Sequence, residues 1–263
     1  MLAQQRHSRI LHEVQARGTV HVHDLAELLD VSAMTVRRDL AELDEQGLLN
    51  RVHGGAESAA STLEPDYAEK MSLHAEGKAA IARRAARLLH PGHSVAFSAG
   101  TTCTRIAQEV TGPHRVGDLT VVTNSLPVAD EFFRSRNRHR HGGAAEPRVL
   151  LTGGERTPSD ALVGPLADAA LADLHVDLLF IGAHGAGESG LTTPNLNEAR
   201  TNRALVRAAR QVVAVFDHSK WGVTGLSGFA RWSEVDTVIT EPGLPPEALA
   251  LLRESVAEVI VAS

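Results

Sequence analysis

The sequence predicts an α/β protein in two parts. An all-α N-terminal unit carries a winged helix-turn-helix, and a larger three-layer, doubly wound α/β domain follows. Three observations predict this. Residues 1–45 hold three amphipathic helical patterns, and a short hairpin with Gly54-Gly55 at its turn comes next. From residue 94 onward, short β-rich runs alternate with helical patterns, as in a mostly parallel sheet covered on both faces. Between the two lies 56–66, AESAASTLEPD, which is small, polar and proline-containing and reads as a linker. The domain boundaries that follow are 1–57, a linking segment 58–74, and 75–263.

In the first helix, Ile10, Leu11 and Val14 recur at helical spacing, with Arg6, Arg9 and Arg17 on other faces and Gly18 as the stop. Residues 19–22 form a short extended link, and Asp24 is a candidate cap for a second helix over 25–29. Ser32 caps the third helix, because its hydroxyl can accept an orphan backbone N–H. Val36, Leu40 and Leu43 face the first two helices. Ser32, Thr35, Arg37, Arg38 and, at the edge, Ala33 are left pointing outward, and Gly47 ends the helix.

Helix-turn-helix proteins insert the start of their second motif helix into the major groove. Arginine meets guanine edges and phosphates through paired donors. The residues expected to meet double-stranded DNA are therefore Ser32, Ala33, Thr35, Arg37 and Arg38, with Arg51 and His53 from the wing. A helical bundle for protein contacts is the alternative, and charge favours it. Residues 1–55 hold six Arg/Lys against eight Asp/Glu, a net −2. DNA affinity must then come from a few well-placed cations on paired copies.

Composition narrows the class. Hydrophobic residues make up 43% of the 263 residues and aromatics only 3%, so Leu, Val, Ile and Ala must build the core. A single cysteine, Cys103, excludes a disulfide framework and a Cys-rich zinc site. The N-terminus has no apolar signal region, and no run approaches the ~20 apolar residues that span a membrane. A cytoplasmic protein without membrane contact is expected. The overall charge of −6 argues against a bulk nucleic-acid binder.

The larger domain opens with a helical pattern over 75–89. Strand-like runs follow at 94–97, 119–123, 149–152, 178–181, 212–216, 237–239 and 259–261. Helical patterns fall at 102–110, 126–134, 166–174, 198–209 and 246–255. In such folds ligands bind beyond the carboxyl ends of strands. Five post-strand loops carry suitable chemistry: Ser98-Ala99-Gly100-Thr101-Thr102, Thr123-Asn124-Ser125, Gly153-Gly154-Glu155, Gly182-Ala183-His184-Gly185 and Asp217-His218-Ser219-Lys220. Glycines admit a close ligand, and helix N-termini with Thr and Ser hydroxyls donate to phosphate. Lys220 adds positive charge, while Asn124, Glu155 and Glu198 suit sugar hydroxyls. The set points to a small phosphorylated polyol.

Two long stretches carry a resemblance. VSAMTVRRDLAELDEQGLLNRVHGGA, preceded by QQRHSRILHEVQARGTVHVHDLAELLDVS, resembles the N-terminal winged helix-turn-helix of the DeoR family of bacterial transcription regulators. The ordered motifs G-T-T, T-N-S, G-G-E, I-G-A-x-G, E-A and D-H-S-K resemble that family's effector domain, which is similar in fold to ribose-5-phosphate isomerase. The resemblance implies a regulator, most simply a repressor, acting as a dimer or tetramer on an operator and controlled by a phosphorylated sugar or related metabolite. It implies that the phosphate meets Gly100, Thr101, Thr102 and Lys220. The ligand's polar body would meet Thr123, Asn124, Ser125, Gly153, Gly154 and Glu198, with Ser98 and His184 lining the same site. Family members usually carry Asp at the position of Ser98, Asp or Asn at that of His184, and Lys at that of Asn202. No cofactor and no metal are implied.

Two other readings fit the same residues. One is an isomerase-like enzyme working through Glu198 or Lys220. The other is a DNA-binding regulator whose second domain only dimerises. Three smaller signals are set aside. Gly185 to Gly190 spells G-x-G-x-x-G, but Pro194 follows where a nucleotide site needs a helix. The basic run 134–143, RSRNRHRHGG, reads as an exposed loop insertion. Cys103 has no neighbouring base and reads as a small buried residue.

Overall fold

The structure, a computed structural model, describes residues 3–17, 19–46, 48–52, 54–58, 67–112, 115–138 and 146–263. Gly18, Gly47, His53, residues 59–66 of the expected linker and the 139–143 part of the basic run lie outside the described residues. The chain separates into two compact units, Met1–Pro65 and Asp66–Ser263.

The small unit holds helices α1 (Ala3–Arg17), α2 (Val22–Leu29) and α3 (Ala33–Glu45). Ile10, Val14, Leu25, Leu29, Val36, Leu40 and Leu43 meet in one core with Leu49. The extended link becomes a strand, β1 (Thr19–His21), which pairs with the wing strands β2 (Leu49–Val52) and β3 (Gly55–Ser58) in the order β1-β3-β2. Asp24 does not cap α2. The Val22 N–H is bonded to the Gly54 carbonyl of the wing at 2.9 Å, so the helix starts at Val22 and Asp24 falls in its first turn. Gly55 has to be glycine, since a Cβ there would lie 2.0 Å from the Val20 carbonyl oxygen.

In the larger unit, α4 (Tyr67–Ser72) and α5 (Ala75–Ala86) come first. Helix α4 stands where linker was expected. Seven strands then form one parallel sheet: β4 (Ser94–Phe97), β5 (Thr120–Thr123), β6 (Arg148–Leu151), β9 (Val176–Ile181), β12 (Ala209–Val215), β14 (Thr237–Thr240) and β15 (Glu258–Val261). All seven expected strands are present. Their order is β15-β14-β12-β9-β4-β5-β6. The chain runs outward from β4 through β5 and β6, then returns to the other side of β4 at β9, so the switch point lies between β4 and β9.

The sheet alternates its side chains between two cores. Val95, Phe97, Val121, Phe180 and Val213 pack under α5, α6 (Thr101–Thr111) and α7 (Leu126–Arg138). Ala96, Val122, Leu179, Ile181 and Ala214 pack under α8 (Pro165–Ala172), α9 (Leu196–Ala208) and α10 (Pro246–Ser255). This period-2 division is what a parallel sheet covered on both faces requires. Two smaller sheets were not foreseen: a hairpin β7 (Glu155–Arg156) with β8 (Leu162–Val163), and β10 (Gly185–Gly187), β11 (Gly190–Thr193) and β13 (Ser227–Ala230). The G-x-G-x-x-G stretch is the β10–β11 hairpin, with no helix at its end.

Candidate functional site

The reading end of the small unit is built on α3. Ser32 caps it, accepting the Thr35 N–H at 3.1 Å, and its hydroxyl also meets the Thr35 hydroxyl at 2.9 Å. Both hydroxyls thus serve the helix start first. Ala33 is partly buried against the core. Arg37 and Arg38 are exposed, but they are not equivalent. Arg38 Nε is held by Glu42 Oε1 at 3.1 Å, one turn along the helix. Arg37 has no ion pair or hydrogen bond among the described residues. Met34, which the sequence reading passed over, is 71% exposed on the first turn of α3. It offers a flexible apolar group of the kind that meets a thymine methyl.

The charge deficit of the unit is partly internal. Asp39 is buried on the other face of α3 and accepts hydrogen bonds from Arg6 Nε at 2.5 Å, Arg6 Nη2 at 2.8 Å and His7 Nε2 at 3.2 Å. Burial opposes ionisation of this carboxyl, but the bonds and charges of Arg6 and His7 outweigh it and hold it below the usual carboxylate range. The same bond to Asp39 raises the Arg6 guanidinium. The pair clamps α1 to α3, so Asp39 positions the reading helix and does not face outward. Asp44 accepts the Arg51 N–H at 3.1 Å and ties α3 to the wing.

In the larger unit the seven strands of the main sheet are parallel, so the loops after β4, β5, β6, β9 and β12 emerge at one edge. Ser98 sits at the switch point and is fully buried. Its Oγ accepts the Gly182 N–H at 3.0 Å, bridging the ends of β4 and β9. Asn124 is spent on scaffolding: its Oδ1 accepts the Ala99 N–H at 3.0 Å and its Nδ2 donates to the Leu162 carbonyl at 3.2 Å. Thr123 Oγ1 donates to the Phe97 carbonyl, and Ser125 Oγ accepts the Val128 N–H. Gly154 packs on the Val163 backbone. Glu198, nine-tenths buried on α9, accepts hydroxyls from Thr157 at 2.7 Å and Thr193 at 3.1 Å. Several residues expected to touch a ligand are therefore bonded through their side chains to neighbouring framework residues, which ties the loops to one another.

Further candidate groups lie in the same unit. Gly100 opens α6 without a side-chain cap, which leaves the helix N-terminus to an anion. Thr101 and Thr102 line that first turn. Lys78, Arg105 and Lys220 are further cations, the charges of the latter two acting on the first, and only Lys220 was foreseen. Lys78 is buried on α5, donates to the Lys70 and Leu73 carbonyls at 2.7 and 2.6 Å, and lies 3.9 Å from Asp217 Oδ2. Burial first, then the nearby charges of Lys220 and Arg105, pull its ammonium down to about 8, against the opposing pull of Asp217 and Glu241. Arg105 carries a buried Nε without a hydrogen-bond partner among the described residues. Lys78 was legible as a charge on the apolar face of α5, three residues before Ile81. Arg105 was legible as the residue one turn after Thr101. Tyr67 of α4 donates to the Thr104 hydroxyl at 2.7 Å, so α4 is fastened to α6. His184 stands half-buried two residues after Gly182.

Family models match both units. A DeoR-like helix-turn-helix domain matches residues 6–62, and a DeoR C terminal sensor domain matches residues 73–242. The chain belongs to the DeoR family of transcription regulators. Its relatives in that family include the HTH-type transcriptional regulator GlpR of Haloferax volcanii, 39% identical over 94% of this chain and 93% of the relative. The lactose phosphotransferase system repressor of Staphylococcus epidermidis is 34% identical over 87% of this chain and 88% of the relative. Among solved structures, ribose 5-phosphate isomerase A of Methanocaldococcus jannaschii aligns with a TM-score of 0.38 at 15% identity, over 55% of this chain and 53% of that one. That likeness is too slight to bear on activity. In this DeoR-family chain, the Ser98 hydroxyl makes a neutral bridge across the switch point. Among the described residues, no helix is long and apolar enough to cross a membrane.

Proposed function

We propose that this DeoR-family chain is a cytoplasmic repressor of genes for sugar or carbon metabolism. It binds a double-stranded operator as a dimer or tetramer and responds to a phosphorylated sugar or related metabolite. The effector reading rests on an uncapped helix N-terminus at Gly100, with Arg105 one turn into the same helix and Lys78 near enough to feel the charges of Arg105 and Lys220. Backbone N–H donors and excess positive charge together suit a phosphate. The names of the relatives, a lactose phosphotransferase system repressor among them, favour a sugar-linked effector.

Control follows from linkage. A ligand that binds one arrangement better shifts the chain toward it. Helix α4 is the first described element after the small unit in sequence, and Tyr67 and the Lys78 bonds fasten it to α6 and α5. It is the natural reporter of an occupied site. An enzymatic role is not favoured, because Glu198 is already engaged by two threonine hydroxyls and Asn124 by backbone. Lys220→Ala is expected to abolish the metabolite response while leaving unliganded operator binding intact. A response that survives the substitution places the pocket elsewhere, and turnover of ribose 5-phosphate by the purified chain would establish the enzyme instead.

A further inference from the structure

We propose that the larger unit carries a divalent-metal site, best suited to Zn²⁺, formed by His74, His218 and Glu241. The three come from separate elements: His74 is the N-cap of α5, His218 lies in the turn after β12, and Glu241 directly follows β14. Their ligand atoms all lie within 4.8 Å of one another. His218 Nδ1 is 2.8 Å from Glu241 Oε1, and the His74 and His218 rings meet edge-on with centroids 5.0 Å apart.

The surroundings leave room for this cluster. A Cβ at Gly77 would lie 1.6 Å from Glu241 Oε2, so the carboxylate reaches over α5 only because that position is glycine. A Cβ at Gly243 would lie 3.0 Å from His218 Cγ, so the ring too is seated against bare backbone. His74 holds a left-handed backbone, φ 51°, uncommon for a non-glycine residue, and its side chain makes no capping bond. That conformation sets its ring on His218.

Two imidazoles and one carboxylate are a zinc ligand set that keeps a fourth position for water. Ligand atoms ~2.1 Å from a tetrahedral centre stand ~3.4 Å apart. The His218–Glu241 pair need open by only about half an ångström, and exposed His74 can turn to close the third side. Lys78, Lys220 and Arg105 are the cations nearby, and Asp217 together with the Glu241 ligand offsets part of their charge. The second three-residue cluster among the described residues, His7, Asp39 and Glu42, is a poorer candidate, because Arg6 already occupies both Asp39 oxygens.

The test uses the full chain, stripped with a chelator and titrated with Co²⁺ while its visible ligand-field absorption is followed. One Co²⁺ per chain is expected. Zn²⁺ should displace it and raise the melting temperature by binding the folded state. His74→Ala, at an exposed helix cap, and His218→Ala should each weaken Co²⁺ binding at least about tenfold, as removal of even an outer partner does. Asp39→Asn should leave it unchanged. Equal Co²⁺ binding by wild type and the His74→Ala/His218→Ala double variant overturns the assignment, as does loss of binding in Asp39→Asn alone.

Discussion

Replacing Arg37 by alanine should cost more operator affinity than replacing Arg38, although the two are neighbours on the same helix turn. Both are exposed on α3. Arg38 must first leave Glu42 at 3.1 Å, whereas Arg37 has no competing partner among the described residues. A bidentate base contact is worth about 1–3 kcal/mol. An exposed ion pair of the Arg38–Glu42 kind is worth up to about 1 kcal/mol, which is subtracted from any contact Arg38 makes. Arg37→Ala should therefore weaken the specific complex by about 1–3 kcal/mol per reading head, a factor of about 5–150. Arg38→Ala should cost up to about 1 kcal/mol less. Glu42→Gln frees Arg38 and removes a negative charge, so it should tighten binding up to about fivefold. Fluorescence anisotropy on operator and on scrambled DNA at one fixed salt concentration measures all three. An Arg37→Ala chain with an unchanged ratio of specific to non-specific affinity, or a Glu42→Gln chain that binds the operator more weakly, contradicts these roles.

Three further outcomes follow from the buried polar groups. Asp39→Ala removes the acceptor of Arg6 and His7 and should destabilise the α1–α3 packing by about 2–3 kcal/mol, seen as faster hydrogen exchange of the α3 amides. Because the Asp39 carboxyl is lowered in the fold, its stabilisation is complete above the unfolded value of about 3.9 and is lost as pH falls through its folded value. Ser98→Ala removes the acceptor of the half-buried Gly182 N–H and should cost about 1–2 kcal/mol, or about 2–8 °C in the melting of the larger unit; an unchanged melting temperature would mean the bridge contributes nothing. The Lys78 ammonium, at about 8 in the fold, releases its proton before the unfolded chain does, so stability should rise from about pH 8. Burial holds Cys103 up at about 11 and Tyr67 at about 12, which acts in the opposite sense above about pH 9. The rise is therefore confined to about pH 8–9, and thermal melts of Lys78→Met should lack it.

Much of the scaffold was legible because its signals are local. Ser32 as a cap, the Val36–Leu40–Leu43 stripe and the β-rich runs such as Ser94–Phe97 all declare themselves within a few residues. The switch-point loops were legible for the same reason, since post-strand Gly, Ser and Thr stand next to the strands that place them. What escaped depends on distant pairing. The Val22 N–H to Gly54 bond that displaced Asp24 joins residues far apart in sequence, as do Asn124 with Leu162 and Glu198 with Thr157. Those pairings turn expected ligand contacts into framework. Lys78 and Arg105 went unnoticed because nothing near them in sequence shows that the loop after β12 brings Asp217 to Lys78, or that Lys78 feels the charge of Arg105.

The proposed regulation is one coupling, between a phosphorylated ligand at the β4–β9 edge and the grip of α3 on DNA. Its direct measurement is the operator dissociation constant of the full chain, titrated with a panel of sugar phosphates and the matching free sugars. At least one phosphorylated compound should change the constant by about 5–150-fold, its free sugar should not, and Lys220→Ala should lose the effect while keeping the unliganded affinity. An operator affinity that no compound moves, or one that free and phosphorylated sugars move alike, would contradict it.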